Sequence, residues 1–311
     1  MKKKTIKIAL KGVPHDYDKS LVLKIFRHRL NRNVIYTRDH NADLVIVGPF
    51  ERRPRFLEKI NKKLTTILGG KLRGRGIPKL YHSSEYRLVD YSQFDFVISS
   101  NSDVLHDNYF RHPYWMEAME WSHEGVPKQE NARFGEPINL EQLCRPLGSQ
   151  FRLRSRRAAL FSSHLFYPRL ELKVLVENFL PVDCFGAAFS GLASANNSPH
   201  DSKSMVLKNY AFNLCPENSI SPGYITEKVP EAFAAGCLPI TWADKSIFDD
   251  FNSAAFINLY TDSTTSPSKA LEVLLDDDSL NEFAQQPLLF KPVSIEPLVS
   301  YLSSLLADIE S

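Results

Sequence analysis

The stretch from Asn213 to Asp244, NLCPENSISPGYITEKVPEAFAAGCLPITWAD, decides the fold class of this 311-residue chain. It reads as a buried apolar strand, a polar loop with one glycine, a helix and a second apolar strand. Units of this kind build α/β domains around a parallel sheet. The same alternation continues on both sides of the stretch, so we predict an α/β protein.

Apolar runs of strand length alternate with amphipathic segments along most of the chain. The predicted strands outside the central unit are Thr5–Leu10, Asn33–Thr37, Ala42–Val47, Ile77–His82, Phe94–Ser99, Ala158–Ser162, Val182–Phe185, Val206–Leu214 and Ala254–Leu259. The predicted helices are Ser20–Leu30, Arg52–Lys63, Pro168–Leu180, Pro267–Leu275 and Glu296–Ile309, and polar or basic loops fall at Gly69–Gly76 and Gly191–Ser204. This alternation predicts parallel sheets with right-handed crossovers.

The chain is long enough for two domains of roughly 150 residues each. Between Gly125 and Arg157 the periodicity fails, and three prolines fall in the segment. We interpret this segment as the region between domains. The prediction is a Rossmann-like domain at residues 1–150 and a second at 151–311, facing each other across a cleft. We expect the last helix either to pack within the C-terminal domain or to pack back on the N-terminal domain.

Composition narrows the class of protein. The formal net charge of +2 argues against a nucleic-acid partner held by a charged tail. No apolar run approaches the roughly 18 residues of a membrane span, so we expect a cytoplasmic protein, with peripheral contact to the inner membrane as an option. Four cysteines lie apart without paired spacing and nine histidines show no ligand spacing, so no metal site is predicted.

Two cations are predicted at helix starts beside sheet ends. With Thr226 as N-cap, Glu227 and Lys228 fall in the first turn of the helix in the central unit. A lysine there is unfavourable unless an anion is bound, although a solvated Glu–Lys pair remains the alternative. Arg169 holds the equivalent place after another strand, where it is either a surface arginine or a second ligand for a diphosphate. Glu85 follows a strand of the first half, where it is either solvated or catalytic.

Three sequence blocks, taken in order, resemble the family-10 glycosyltransferases, which include bacterial and animal α1,3-fucosyltransferases. The densest block runs from Tyr210 to Ala243 and contains Glu217-Asn218-Ser219, Tyr224-Ile225-Thr226-Glu227-Lys228 and Pro239-Ile240-Thr241-Trp242. The others are Phe94-Asp95-Phe96-Val97-Ile98 with Arg111-His112-Pro113-Tyr114, and Pro168-Arg169 leading to Val182-Asp183-Cys184-Phe185-Gly186. Pro216 and Ala243 depart from the family pattern, which leaves the donor sugar open.

The resemblance implies a GT-B fold with an N-terminal acceptor domain and a C-terminal donor domain. It implies transfer of L-fucose from GDP-β-L-fucose, with inversion and without an essential metal, commonly to O3 of N-acetylglucosamine. The acceptor would be an oligosaccharide or glycolipid, such as a lipopolysaccharide or other surface polysaccharide. By position, Glu85 matches the general base, and Arg169 and Lys228 match the diphosphate ligands.

The remaining matched residues, Asn218, Tyr224 and Glu227, line the nucleotide-sugar pocket in the family. Two alternatives stay open at this point. One is a GT-B transferase that uses another GDP-deoxyhexose. The other is a catalytically silent nucleotide-sugar-binding protein, since a fold alone does not fix an activity.

Overall fold

A computed structural model of the chain describes residues 3–51, 76–83, 85–87, 89–104, 106–128, 131, 133–190, 202–260 and 266–311. The described strands are β1 (Lys4–Lys11), β2 (Arg32–Tyr36), β3 (Leu44–Val47), β4 (Lys79–Ser83), β5 (Phe96–Ser99), β6 (Tyr109–Arg111), β7 (Ser155–Phe161), β8 (Val182–Phe185), β9 (Tyr210–Leu214), β10 (Leu238–Thr241) and β11 (Ile257–Asn258). The described α-helices are α1 (Leu21–Lys24), α2 (Leu140–Leu143), α3 (Arg169–Glu177), α4 (Lys203–Leu207), α5 (Lys228–Ala234), α6 (Ile247–Asp250), α7 (Pro267–Leu271), α8 (Asp277–Ala284) and α9 (Glu296–Glu310). The predicted helix Arg52–Lys63 and most of the loops at 69–76 and 191–204 lie outside the described residues.

The chain divides into two compact units. The first contains Met1–Ser99, Val104–His112 and Ile295–Ser311, and the second contains Ser100–Asp103 and Pro113–Ser294. The second unit therefore includes residues 113–150, which the sequence analysis assigns to the first domain. The assignment differs because this stretch supplies fully buried apolar side chains to the second unit: Phe134, Ile138, Leu140 and Leu143.

The described part of the first unit forms a six-stranded sheet in the order β2-β1-β3-β4-β5-β6. All of its pairings are parallel. Every residue of β3 and β5 is buried, which is typical of strands covered on both faces of a parallel sheet. Helix α9 belongs to this unit, and Tyr301 on it donates its hydroxyl to the Asn108 carbonyl at 2.7 Å.

The described part of the second unit forms a five-stranded parallel sheet in the order β11-β10-β9-β7-β8. Apolar side chains from these strands form one core cluster with α3, α7 and α8. Strands β7 and β9 are neighbours, with Leu160 in register with Leu214. Their carboxyl ends therefore lie side by side, so the loops that follow them meet at one edge of the sheet.

Most predicted strands are found with ends that differ by a few residues, and three local predictions need correction. The strand predicted at Val206–Leu214 begins at Tyr210, because Ser202 accepts a hydrogen bond from the Met205 amide and starts the short helix α4 instead. The predicted helix Ser20–Leu30 continues past α1 as a π-helical turn over Ile25–Arg29. Thr226 is not the N-cap of α5; Glu227 is, and the Thr226 hydroxyl is bonded elsewhere.

Candidate functional site

A cluster of polar side chains occupies the carboxyl edge of the second sheet, where β7 and β9 end. The strand-end cluster, as we name it, consists of Arg169, Glu217, Asn218, Tyr224, Thr226 and Lys228. Arg169 is the first residue of α3, which follows β7, and Lys228 is the first residue of α5, which follows β9. The loop between β9 and α5 carries the other four residues. The fold thus brings together residues that are up to 59 positions apart in sequence, by the difference between 228 and 169.

Arg169 anchors one half of the strand-end cluster. Its side chain is 4% exposed, and its Nη2 donates to Asn218 Oδ1 at 2.5 Å. The Asn218 amide nitrogen in turn donates to the hydroxyl of buried Tyr224 at 3.4 Å. Burial lowers the pKa of Arg169, but a guanidinium keeps its proton in proteins. The result is a buried positive charge whose planar fork suits two oxygens of a phosphate.

Lys228 and Glu217 form the other half of the strand-end cluster as a buried ion pair. Lys228 Nζ lies 2.5 Å from Glu217 Oε2 and 2.9 Å from Thr226 Oγ1. Glu217 also accepts from the Thr226 amide at 2.7 Å and from its hydroxyl. Burial lowers the pKa of Lys228, but the charges of Glu217 and Glu227 outweigh it, so the net shift is upward. Lys228 is therefore held as a cation at the start of α5.

Glu227 lies beside this pair and is linked to a second charged group. Its carboxylate is 3.9 Å from Arg133 Nη1. Burial alone would raise the pKa of Glu227, but the charges of Lys228 and Lys203 bring it below its usual value. Lys203 itself forms a buried pair with Glu231 at 2.7 Å, one turn further along α5. The lowered pKa favours the ionised carboxylate of Glu227.

Glu85 belongs to the first unit and has a different environment. It follows the carboxyl end of β4 by two residues, and its side chain is exposed. The Ser83 hydroxyl accepts from the Glu85 amide at 3.1 Å and donates to the Glu85 carbonyl at 2.6 Å. These two bonds fix the backbone turn rather than the carboxylate. The predicted site residues therefore fall into two groups, one in each unit.

His164 is a neighbour of the strand-end cluster that the sequence reasoning did not select. It lies in the loop between β7 and α3, and its ring packs at a tilt of 32° against the Phe166 ring, with centroids 4.5 Å apart. Burial lowers the pKa of His164, and the charges of Arg169 and Lys228 lower it further. Its place three residues after β7, just before Arg169, is the signal that could have identified it.

The described residues were also compared with the requirements of a metal site, a disulfide bond and a membrane-spanning helix. There, no group of three or more His, Cys, Asp or Glu side chains could hold a metal ion. Cys184, Cys215 and Cys237 are buried and unbridged, as the sequence predicts for isolated thiols, and Cys144 is half-buried. None of the described helices has the length and apolar character needed to cross a bilayer.

Comparison with known proteins finds a family match within the second unit. Residues 152–282 match the family described as glycosyltransferase family 10 (fucosyltransferase) C-term. An alpha-(1,3)-fucosyltransferase of Helicobacter pylori is 41% identical over 58 residues, which are 19% of this chain and 12% of that protein. A protein of Acanthamoeba polyphaga mimivirus named as a fucosyltransferase is 27% identical over 131 residues, 40% of this chain and 21% of that protein. The chain thus matches only a small part of the length of either relative.

Solved structures extend the likeness to the whole chain at the level of the fold. A crystal structure of an alpha1,3-fucosyltransferase matches 98% of this chain and 91% of its own, with a TM-score of 0.69 and 18% identity. An alpha1,3-fucosyltransferase structure with GDP-fucose has a TM-score of 0.69 at 17% identity, and one with GDP has 0.67 at 18%. The predicted α/β fold of GT-B type is confirmed. The resemblance drawn from the motifs agrees with the match of residues 152–282 to the glycosyltransferase family 10 model.

Proposed function

We propose that this protein is a fucosyltransferase that moves L-fucose from GDP-β-L-fucose to a hydroxyl of a glycan, with inversion at the anomeric carbon. One observation carries the proposal. The strand-end cluster places two cations, the buried Arg169 and the partly buried Lys228, at the starts of the helices that follow adjacent strands in the segment that matches the family. A sugar-nucleotide diphosphate is the anion that such a pair at this edge of an α/β sheet suits.

The cluster supplies charge where the reaction develops it. The bond from fucose to GDP breaks with its electrons going to the diphosphate, which then carries extra negative charge. Arg169 and Lys228 would stabilise that charge, so the leaving group needs neither a proton nor a metal ion. Asn218, which is bonded to both Arg169 and Tyr224, would line the pocket together with Tyr224. Glu227 would accept from hydroxyls of the donor.

Glu85 would act as the general base. An inverting transfer is a single displacement, so one carboxylate must take the proton of the attacking hydroxyl as the new bond forms. The Glu85 side chain is exposed and its backbone is fixed by Ser83, which suits a group that must reach an incoming acceptor. Glu217 is less suited to this role, because its carboxylate is 1% exposed and already bonded to Thr226 and Lys228.

For the acceptor, we propose O3 of N-acetylglucosamine or a similar sugar in a surface polysaccharide or lipopolysaccharide. Support comes from the family, in which both a curated relative and the matched crystal structures are named α1,3-fucosyltransferases. A cytoplasmic site of action, with peripheral contact to the inner membrane where glycolipid acceptors are assembled, is part of the same proposal.

The test is donor binding followed by transfer. Calorimetry with GDP-fucose, a second GDP-deoxyhexose such as GDP-rhamnose, GDP-mannose and UDP-glucose should show the tightest binding for GDP-fucose. Incubation of GDP-fucose with N-acetylglucosamine-containing oligosaccharides should release GDP only when acceptor is present, and nuclear magnetic resonance of the product should show an α-linkage. The reaction should proceed in excess chelator. Tightest binding of another GDP-deoxyhexose would reassign the donor, and donor binding without transfer to any acceptor would indicate a silent binding protein.

A further inference from the structure

Glu217 has an environment that the proposed chemistry does not use. Its side chain is 1% exposed, so the carboxylate is shielded from solvent. The proposed function gives it no contact with either substrate. Oε1 accepts from the Thr226 amide at 2.7 Å and hydroxyl at 2.9 Å, and Oε2 faces Thr226 Oγ1 at 2.8 Å and Lys228 Nζ at 2.5 Å. The Thr226 hydroxyl has a single proton, so three donors meet the roughly four acceptor positions of the carboxylate: the Thr226 amide, that hydroxyl and the Lys228 ammonium.

These bonds join the two ends of the loop between β9 and α5. Glu217 lies three residues after β9, and Thr226 and Lys228 lie where α5 begins. The loop that they close contains Asn218, which accepts from Arg169 and donates to the hydroxyl of Tyr224 in the same loop. Glu217 thus fixes both the lysine and the loop that carries the neighbouring polar groups.

Lys228 depends on this carboxylate for its charge. Its side chain is 15% exposed, and burial of an ammonium favours the neutral amine. The groups that act on it from other elements are Glu217, which keeps it charged, and Arg169, which opposes the charge; Glu227 on its own helix also keeps it charged. Of its three N–H donors, one goes to Glu217 and one to Thr226, so the third can serve a ligand.

We propose that Glu217 is a positioning residue of the donor site, which keeps Lys228 protonated and fixed so that its remaining N–H meets the diphosphate. This inference rests on the proposed function, because it assigns Lys228 to the sugar nucleotide. Glu217 does not touch the donor. It acts through Lys228, and its removal should change the pH range over which the donor binds.

The test compares donor affinity against pH in wild type and in Glu217→Gln. Calorimetry with GDP-fucose between about pH 6.5 and 8.5 is suitable, because its diphosphate lacks the terminal phosphate that titrates near pH 6. In wild type the affinity should change less than about twofold across this range. In Glu217→Gln, Lys228 loses the negative charge that most stabilises its protonated form. Buried lysines without such a partner can release their proton as low as about pH 5–6. Affinity should therefore fall by up to about tenfold per pH unit at the upper end, the slope of one linked proton.

Three variants separate this role from simple structural support. Glu231→Gln is the matched control, because Glu231 forms a similar buried pair with Lys203 at 2.7 Å; its donor affinity should stay flat with pH. Glu217→Gln combined with Lys228→Met should also give a flat profile, at weaker affinity, because the titrating amine is gone. Glu217→Asp keeps the charge and should restore much of the wild-type profile, which provides a readout if the glutamine variant does not fold.

Each result bears on the proposal. A flat profile in folded Glu217→Gln, or a slope that persists when Lys228 is also replaced, would overturn the role of Glu217 while the donor assignment stands. If Glu217→Gln does not fold, the test passes to Glu217→Asp. The role is likewise overturned if Glu217→Asp binds with wild-type affinity at every pH although lysine-selective nuclear magnetic resonance shows its Lys228 amine to be freely solvated. If wild type binds no GDP-fucose at all, the proposed function fails and this inference fails with it.

Discussion

The strand-end cluster and the turn that carries Glu85 are both at carboxyl ends of parallel strands, but they are built in different ways. In the cluster, Arg169 and Glu217 are 4% and 1% exposed and their polar atoms are bonded to other side chains. At the turn, Glu85 is exposed and the Ser83 hydroxyl is bonded to its backbone amide and carbonyl. One region holds fixed charge inside the protein, and the other presents a carboxylate to solvent.

This difference follows from what each region would have to do. Charge that stabilises a leaving diphosphate works best when it is already in place and shielded from water. A base must instead exchange protons and admit a new acceptor in each cycle. We therefore expect substitutions in the strand-end cluster to affect stability and donor binding together, whereas substitutions at Glu85 should affect only the rate.

The largest expected effect is that of Glu85→Gln. Loss of a general base typically lowers the rate by about 10²–10⁴. Donor affinity should be unchanged, and the melting temperature should move little, because an exposed side chain contributes little to the core. Turnover with saturating GDP-fucose and acceptor, measured beside a thermal melt, checks both points. Asp90→Asn is the control, since Asp90 is an exposed carboxylate that caps the turn at residues 91–93. Full turnover in Glu85→Gln would remove Glu85 from the mechanism.

The core of the first unit provides the contrast to its exposed turn. Leu302 on α9 is fully buried within that unit, so Leu302→Ala should lower the free energy of unfolding by about 2–5 kcal/mol through lost burial and a cavity. Donor affinity of the folded protein should stay within about twofold of wild type, because the strand-end cluster belongs to the second unit. Urea unfolding and calorimetry measure the two quantities. A large loss of affinity without loss of stability would mean that α9 has a role in donor binding.

Lys228→Ala should have a smaller but double effect. Charge-assisted hydrogen bonds are worth roughly 1.5–3 kcal/mol, so GDP affinity should fall about tenfold or more. The same substitution leaves the buried Glu217 carboxylate without its counter-ion, so stability should fall as well. Calorimetry with GDP and urea unfolding report the two effects separately. Equal GDP affinity in Lys228→Ala and wild type would show that the diphosphate binds elsewhere.

The sequence predicted those parts of the fold whose signal is local. A strand buried on both faces is usually continuously apolar, and this is how Leu44–Val47 could be recognised. Arg169 and Lys228 stood out because a cation at a helix start needs an explanation. The motif order then indicated the family, and the segment that matches its model contains two of the three motif blocks, those at Pro168–Gly186 and Tyr210–Ala243.

The parts that escaped prediction depend on contacts that are distant in sequence. The stretch predicted as a linker has no periodicity, because its order comes from irregular bonds such as that from the Gly148 amide to the Ala284 carbonyl. Helix α4 has five residues, which is too short to show a helical period. Glu217 looked like one more loop carboxylate until the loop brought it against Thr226 and Lys228. Which polar residue finds a buried partner is decided by tertiary structure.

The smallest expected effect concerns the opposite edge of the second sheet. Arg157, near the start of β7, binds the Asp183 carboxylate with two nitrogens at 2.5 and 2.7 Å, and Tyr210 donates its hydroxyl to the same group at 2.9 Å. The Arg157 bond is the main reason that the pKa of Asp183 is below its usual value. This group resembles the strand-end cluster in its pairing, but it lies at the amino ends of the strands, where ligands of open α/β sheets do not bind.

Asp183→Asn should therefore change stability alone, and in a pH-dependent way. A carboxylate whose folded pKa is lowered contributes stability above its unfolded pKa, near 3.9, and this contribution is lost as pH falls through the lower folded pKa. Because the Arg157 side chain is 40% exposed, solvent screening limits the contribution to about 1 kcal/mol at neutral pH. Urea unfolding at pH 7 should show wild type more stable than Asp183→Asn, and the difference should shrink steadily between pH 5 and the acid limit of folding. Asp277→Asn, which removes an exposed partner of Arg152 and Arg156, should give a smaller change. If the stability difference for Asp183→Asn persists unchanged in acid, the substitution acts through packing rather than through charge. If Asp183→Asn also loses GDP affinity, the two edges of the sheet are not separate in function.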